Sequence, residues 1–290
     1  MAKSRAVKLG IVGVGKVANV CAKAIGSIDT IELRSACNHT RMRLQEFCQN
    51  FHLNGYLNLP EMIVNENLNA ILICTPVPTH MYYAEIASNY DCHILCQAPI
   101  SLSSPDIDYL LDYRRRTNKV VEELDCHYGG SYLRALSHKL KRLQEGRKDP
   151  GELKCTIAYN DLDSLYIMLL SLCYATGCPS LEVTGQEALL IHGRIRIRCS
   201  FNKDPHNFIE LEKPFCREFF EDHLLGFDDL YNLTHVDPSY FDQKKLNQSI
   251  LDYHNQIKLW SKKMKKGNQD EPYLGLASEL TDLIGTFGQA

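Results

Sequence analysis

Two patterns of apolar residues alternate along the first part of this chain. Short strand-like runs, some nearly continuously apolar and some broken by charged residues, occur at Lys8–Val12, Ile31–Cys37, Tyr56–Leu59, Asn69–Thr75, Cys92–Cys96 and Lys119–Leu124. Segments with helical spacing lie between them. One follows the first run, one covers Gln45–Phe51, one opens at Pro60, one covers Met81–Asn89 and one opens at Ser104-Pro105. Proline suits a first helical turn because its missing N–H would have no partner there anyway. Ser104 is a good helix cap, with Asp106 and Asp108 beside the positive end of the dipole. The runs NAILICT and CHILC read as strands buried on both faces. Strands alternating with helices predict a doubly wound parallel sheet with right-handed crossovers. Ligands in such sheets bind at the carboxyl ends of the strands. Those ends carry Gly13–Gly15, Asn38–Arg41, Thr75–His80, Gln97–Pro99 and Asp125–Tyr128.

The pattern changes after residue 124, which sets the expected boundary between domains 1–124 and 125–290. Arg134–Leu143 is an amphipathic helix with Leu136, Leu140 and Leu143 on one face. Glu152–Tyr159 alternates as a strand, and Leu162–Tyr174 is an apolar helix. Ser180–Thr184, Glu187–His192, Arg194–Phe201 and Asn207–Leu211 follow as strands of a mostly antiparallel open sheet. Ile195, Ile197 and Cys199 face one way there, and Arg194, Arg196 and Arg198 the other. The arginine face is either solvated or an interface lined with acids. Residues 246–262 form a helix with Leu251 and Ile257 among its apolar positions. Lys262–Asn268 reads as a basic, flexible, solvated loop rather than a nucleic-acid contact. The expected fold class is α/β with a C-terminal α+β domain.

Composition narrows the setting. The chain has 290 residues, 44% hydrophobic and 23% charged, with net charge −3, so nothing global points to nucleic acid or an anionic membrane. No apolar run spans a bilayer, and residues 1–6 lead into no signal-peptide core. The twelve cysteines contain no CxxC pair. They suit buried free thiols in a reducing cytoplasm better than a disulfide framework or a metal site.

The first strand runs into Gly13-Val14-Gly15-Lys16-Val17-Ala18 and then a helix. This is the strand–turn–helix order of the dinucleotide fingerprint. Gly13 allows the turn, Gly15 leaves room for a pyrophosphate, and Ala18 lets helix and strand approach. The helix N-terminus, with Lys16 and Val17 in its first turn, faces the phosphates. The same turn can also join strand and helix with no ligand. At the end of the second strand a carboxylate would bind the ribose hydroxyls of NAD(H). This chain has Asn38-His39-Thr40-Arg41 instead, followed by Arg43. That favours NADP(H) over NAD(H), or is merely a basic, solvated helix start. Thr75, Pro76, His80 and Gln97 complete the expected cofactor site.

Residues 7–135 resemble the glucose–fructose oxidoreductase / inositol dehydrogenase / MocA (Gfo/Idh/MocA) family of NAD(P)-dependent oxidoreductases. The resemblance rests on GVGKVA, on NAILICTPVPTH with the helix after it, and on CHILCQAPISLS beside the family's HVLCEKPLSLS. It extends more loosely over the second half, through Leu165–Pro179 and Pro272–Thr286. It implies a Rossmann domain, a small-molecule substrate and a homodimer formed through the open face of the second sheet. It also implies a lysine for nicotinamide and substrate, and a histidine and aspartate for acid–base work. Carried over, the lysine falls at Ala98, with Gln97 for the glutamate; the histidine falls at Ile167 or Tyr166 and the aspartate at Leu170. The family's arginine near the sixth strand falls in Tyr128–Tyr132, which contains none. Glu212-Lys213-Pro214 spells the family motif, but in the wrong domain.

Oxidising an alcohol requires a base within reach of the hydroxyl, and that set is missing. His127 is the surrogate proton donor by its near-neutral pKa, or a structural histidine; Tyr128 and Gln97 are the other candidates. His80 braces its loop. Tyr128, Tyr132, Tyr166 and Tyr174 either receive a large unsaturated, bilin-like acceptor, as in the biliverdin reductases of this fold, or fill the core. Two readings therefore remain: an oxidoreductase with an atypical site, and an inactive dinucleotide- or partner-binding pseudoenzyme.

Overall fold

The computed structural model describes residues 6–124, 152–159, 162–176, 181–184, 187–192, 195–203, 208–211 and 243–266, and the single positions 137, 145, 277, 280, 281 and 284. The chain divides into two compact units, Met1–Ser101 with Pro105–Gly129 and Phe241–Leu274, and Leu102–Ser104 with Gly130–Tyr240 and Gly275–Ala290.

The first unit is built from β1 (Val7–Val12), α1 (Lys16–Ile25), β2 (Ile31–Cys37), α2 (Arg41–Phe51), β3 (Asn54–Tyr56), α3 (Leu59–Glu66) and β4 (Ala70–Ile73). A 3-10 turn at Val77–Thr79, α4 (His80–Asn89), β5 (His93–Gln97), α5 (Ser104–Thr117) and β6 (Val121–Leu124) complete its first run. The six strands are parallel in the order β3-β2-β1-β4-β5-β6. The order reverses between β1 and β4, and a crevice opens at such a switch point beyond the strand ends. β4 is buried along its whole length, as its unbroken apolar run requires.

One short element differs from expectation. The third strand is Asn54–Tyr56, not Tyr56–Leu59, because Asn58 caps α3 by accepting from the Glu61 N–H at 3.0 Å. The cap draws Leu59 into the helix and leaves Asn54–Tyr56 to pair with Ser35–Cys37.

The second unit holds β7 (Glu152–Tyr159), α6 (Leu162–Thr176), β8 (Leu181–Thr184), β9 (Glu187–His192), β10 (Ile195–Lys203) and β11 (Phe208–Leu211). Its sheet runs β11-β7-β10-β9-β8. Only the β7–β10 pair is parallel, so the sheet is mostly antiparallel. Ile197 and Cys199 are buried on one face. On the other, Arg198 is held by Glu152 at 2.6 Å and Glu187 at 3.3 Å, from the two flanking strands. These carboxylates raise the guanidinium further, and Arg198 lowers Glu152. The sheet thus supplies the acids for this arginine itself. Arg194, the helix expected at Arg134–Leu143, and Glu212–Pro214 lie outside the described residues.

A single cut at 124 separates the two sheets, yet α7 (Gln243–Lys266), far beyond it in sequence, packs in the first unit. Tyr253, Gln256, Ile257 and Trp260 are buried on it. Thr30 meets Ser261 at 2.9 Å, Ser27 meets His254 at 2.9 Å, and Gln256 donates to the Glu123 carbonyl at 3.0 Å. The helix also corrects two expectations. Leu251 is exposed rather than part of the apolar face, which is carried by Tyr253, Ile257 and Trp260. Lys262–Lys266 is helical, not a flexible loop, because Lys263 reaches the buried Glu122 at 2.8 Å and anchors the last turns. Eight of the nine described cysteines are buried free thiols.

Removing one partner of a buried ion pair leaves the other charge stranded. Lys263→Met is expected to destabilise the protein by about 3 kcal/mol in denaturant melts. Lys262→Met, at an exposed position of the same helix, should change stability by less than about 0.5 kcal/mol. Equal effects would show that Glu122 needs no partner.

Candidate functional site

The site begins at the end of β1. Gly13 has φ +86°, a conformation open to glycine, and a Cβ there would lie 2.6 Å from the Cys74 carbonyl oxygen. Its N–H donates to the Cys37 carbonyl at 2.9 Å, and the Cys74 N–H donates to Val12 at 2.8 Å. The ends of β1, β2 and β4 are thereby tied at one point. Gly15 is the N-cap of α1, offers no capping side chain, and would have nothing within 4 Å of an added Cβ. Ala18 is fully buried against the sheet. The result is an open shelf over Gly15 at the positive end of α1, with Lys16 and Val17 in its first turn.

At the end of β2, Asn38 donates to the Thr40 carbonyl at 3.2 Å, so part of its hydrogen-bonding capacity is used within the turn. Thr40 is the N-cap of α2, but its hydroxyl does not cap the helix. The first turn of α2 contains no acid. It carries exposed Arg41 and Arg43, and His39 beside it is exposed too. Cations at a helix N-terminus oppose the dipole, so this arrangement costs the fold a little and suits an incoming anion.

At the ends of β4 and β5, Thr75 is half-buried and its hydroxyl oxygen is buried with no hydrogen-bond partner. Pro76 is exposed beside it. His80 is fully buried, its Nδ1 2.8 Å from the Pro99 carbonyl and its Nε2 2.5 Å from the Thr75 carbonyl. Burial pushes its pKa below the ordinary value, while the two carbonyls work against that shift. Its two ring contacts link the Thr75 loop to the Pro99 carbonyl. Gln97 is half-buried at the end of β5. Ala98 is 2% exposed, and its N–H donates to Leu124 at 3.0 Å. Sequence reasoning missed Glu123, which is buried and accepts from the Ile100 N–H at 2.6 Å. The adjacent glutamates Glu122 and Glu123 in the four-residue strand Val121–Leu124 were the available signal.

Gly13, Gly15, Lys16, Val17, Asn38, His39, Thr40, Arg41, Thr75, Pro76, His80 and Gln97 all lie at the carboxyl edge of the first sheet. Ile167 and Leu170 are buried, apolar positions on α6 and hold no proton. Tyr166 is fully buried, which suits the core reading of that residue. His127, Tyr128 and Tyr132 lie outside the described residues, as does the Tyr174 side chain. No group of three His, Cys, Asp or Glu that could hold a metal occurs among the described residues. None of the described helices is long and apolar enough to cross a membrane.

A parallel sheet with this strand order, a glycine turn at its first strand end and a helix pointing at that turn define a doubly wound dinucleotide-binding domain. Residues 7–123 match the Gfo/Idh/MocA family model, described as "Oxidoreductase family, NAD-binding Rossmann fold". The chain is 22% identical over 116 residues to myo-inositol 2-dehydrogenase of Thermotoga maritima, covering 40% of this chain and 35% of that protein. The match thus spans about a third of that curated relative's length. Over the whole chain the fold matches an oxidoreductase from Agrobacterium radiobacter solved with NAD+, L-tartaric acid and magnesium. There the TM-score is 0.71 and identity 12%, over 96% of this chain and 94% of that one. It also matches KijD10, a 3-ketoreductase from Actinomadura kijaniata solved with NADP and TDP-benzene, with TM-score 0.67, identity 12%, and 97% and 96% coverage.

The two glycines should respond differently to substitution. Gly13→Ala forces a side chain into the Cys74 carbonyl at positive φ, and should cost at least about 2 kcal/mol of stability. Gly15→Val meets only open space, so melting should barely change while dinucleotide binding is lost. Unchanged affinity in Gly15→Val would place the phosphates elsewhere.

Proposed function

We propose that this chain is an oxidoreductase with an atypical active site, which binds NADP(H) in preference to NAD(H) at the carboxyl edge of its first sheet. The observation that carries the reading is the open shelf over Gly15 beside an acid-free, arginine-bearing helix start. The residues present fit a dinucleotide. Gly13, Gly15, Lys16 and Val17 would hold the pyrophosphate. Asn38, His39, Thr40 and Arg41 would face the adenosine ribose, with no carboxylate there to repel a 2′-phosphate. Thr75, whose buried hydroxyl has no partner, and Pro76, His80 and Gln97 would border the nicotinamide. When bound, the cofactor supplies or accepts hydride.

The described residues constrain the partner of that hydride. Ala98, Ile167 and Leu170 cannot take a proton from a hydroxyl. A conjugated, bilin-like acceptor needs hydride at one atom and one proton at another, which His127, Tyr128 or water would supply. The same substitutions support a second reading, a catalytically inactive dinucleotide- or partner-binding protein. The polar open face of the second sheet is the surface expected to form a homodimer. The buried free thiols fit a cytoplasmic protein.

Calorimetric titration should give NADPH at least about tenfold tighter binding than NADH. Replacing Arg41 and Arg43 together by Ala should remove most of that difference. Equal affinities in the unmodified protein would remove the NADP(H) preference. Turnover is checked by loss of NADPH absorbance with bilins, enones, sugars and polyols. Oxidation by a bilin or enone supports the enzyme; tight cofactor binding with no turnover supports the second reading.

A further inference from the structure

The peptide joining Pro99 to Ile100 is gripped at both ends. Its carbonyl faces His80 Nδ1 at 2.8 Å, and its N–H donates to Glu123 Oε1 at 2.6 Å. The cis bond lies one residue earlier, at Ala98–Pro99, so this peptide is trans. Its C=O and N–H point in opposite directions, and the two side chains approach from opposite sides. The other ring nitrogen of His80 faces the Thr75 carbonyl at 2.5 Å. Both partners of the ring are carbonyl oxygens, which only accept. A neutral imidazole carries one N–H, and an imidazolium carries two. Only the imidazolium makes both contacts attractive.

A charge on a fully buried ring needs compensation. Glu123, 7% exposed, stands at the far end of the same peptide. The peptide turns its negative oxygen to His80 and its positive N–H to the carboxylate, so each charge is stabilised by the end it faces. Hydrogen bonds chained in this way strengthen one another. Gln256 on α7 fixes the Glu123 backbone by donating to its carbonyl at 3.0 Å. The surrounding titratable groups do not replace Glu123. Cys96 on β5, within electrostatic range of Glu123 and Cys74, is a fully buried thiol that burial and Glu123 hold protonated. Glu122, the next residue on β6, is engaged by Lys263. On α4, burial and the neighbouring Cys37 and Tyr82 raise the Tyr83 phenol. At His80 itself, burial opposes the two carbonyls.

We propose that His80 and Glu123 are paired positioning residues, an imidazolium and a carboxylate joined through the Pro99–Ile100 peptide, which lock the Gln97–Ile100 segment to the Thr75 loop and make this end of the site proton-sensitive. The pair is a property of the protein alone. Its effect on the cofactor rests on the reading of this edge as the nicotinamide site. With the ring charged, both loops are held; with the ring neutral, one of them is released.

The test is nitrogen-15 NMR of the histidine rings in the protein without ligand, with His80 assigned by loss of its signals in His80→Gln. On acidification both His80 nitrogens should become protonated. In Glu123→Gln, which keeps an acceptor for Ile100 but removes the charge, the His80 midpoint should fall by about one pH unit. A midpoint that does not move, or a ring that stays neutral to about pH 5, overturns the pair. The titration of the unmodified protein decides the second point even if Glu123→Gln fails to fold. NADPH affinity should strengthen as pH falls through the same midpoint and shift with it in Glu123→Gln. An affinity indifferent to pH, with the NMR midpoint moving, overturns the role in the site and leaves the pair standing.

Discussion

The turn at Gly13 is the constraint on which the first unit depends. Three strand ends converge there, held by the hydrogen bonds of Gly13 to Cys37 and of Cys74 to Val12. The Cys74 carbonyl lies so close that only glycine fits. The convergence fixes where α1 starts and which way its N-terminus points. The shelf over Gly15 therefore follows from backbone geometry rather than from any reactive side chain. Parallel strands buried on both faces leave their polar backbone ends at the carboxyl edge, and chemistry collects along that edge.

Much of this was legible in the sequence because it is written in local signals. Continuous apolar runs, prolines at helix starts and a glycine turn after a strand locate the first sheet and its binding edge. The register of the second sheet was legible in part, from the alternation of Ile197 and Cys199 with Arg196 and Arg198. What the sequence hid was long-range. Glu152 and Glu187 meet Arg198 only when β7 and β9 flank β10. The Lys262–Lys266 segment is helical through Lys263 and its partner Glu122, well over a hundred positions away, so local composition suggested a loop. Leu251 fits an apolar stripe by spacing, yet the side of α7 that is buried is chosen by what lies beneath it.

On the proposed reading, the edge of the first sheet combines a retained binding surface with lost chemistry. The shelf over Gly15 is open, and the Gln97–Ile100 segment is held through the Ala98 and Ile100 N–H groups and the Pro99 carbonyl. By the resemblance, the family's lysine position falls at buried Ala98, its histidine at Ile167 or Tyr166 and its aspartate at Leu170. A rigid support that keeps its shape without its titratable group can still orient a cofactor, but it cannot exchange a proton with an alcohol. Cofactor binding can therefore persist without catalysis, and proton supply constrains the substrate.

On the proposed reading, a dinucleotide lies across Gly15 with its adenosine end at the start of α2. A crystal structure of the protein with NADPH tests it most directly. The pyrophosphate should lie over Gly15 at the N-terminus of α1, with the 2′-phosphate within hydrogen-bond reach of Thr40 and Arg41. A cofactor bound away from Gly15, or a shelf that stays empty at saturating NADPH, would contradict it.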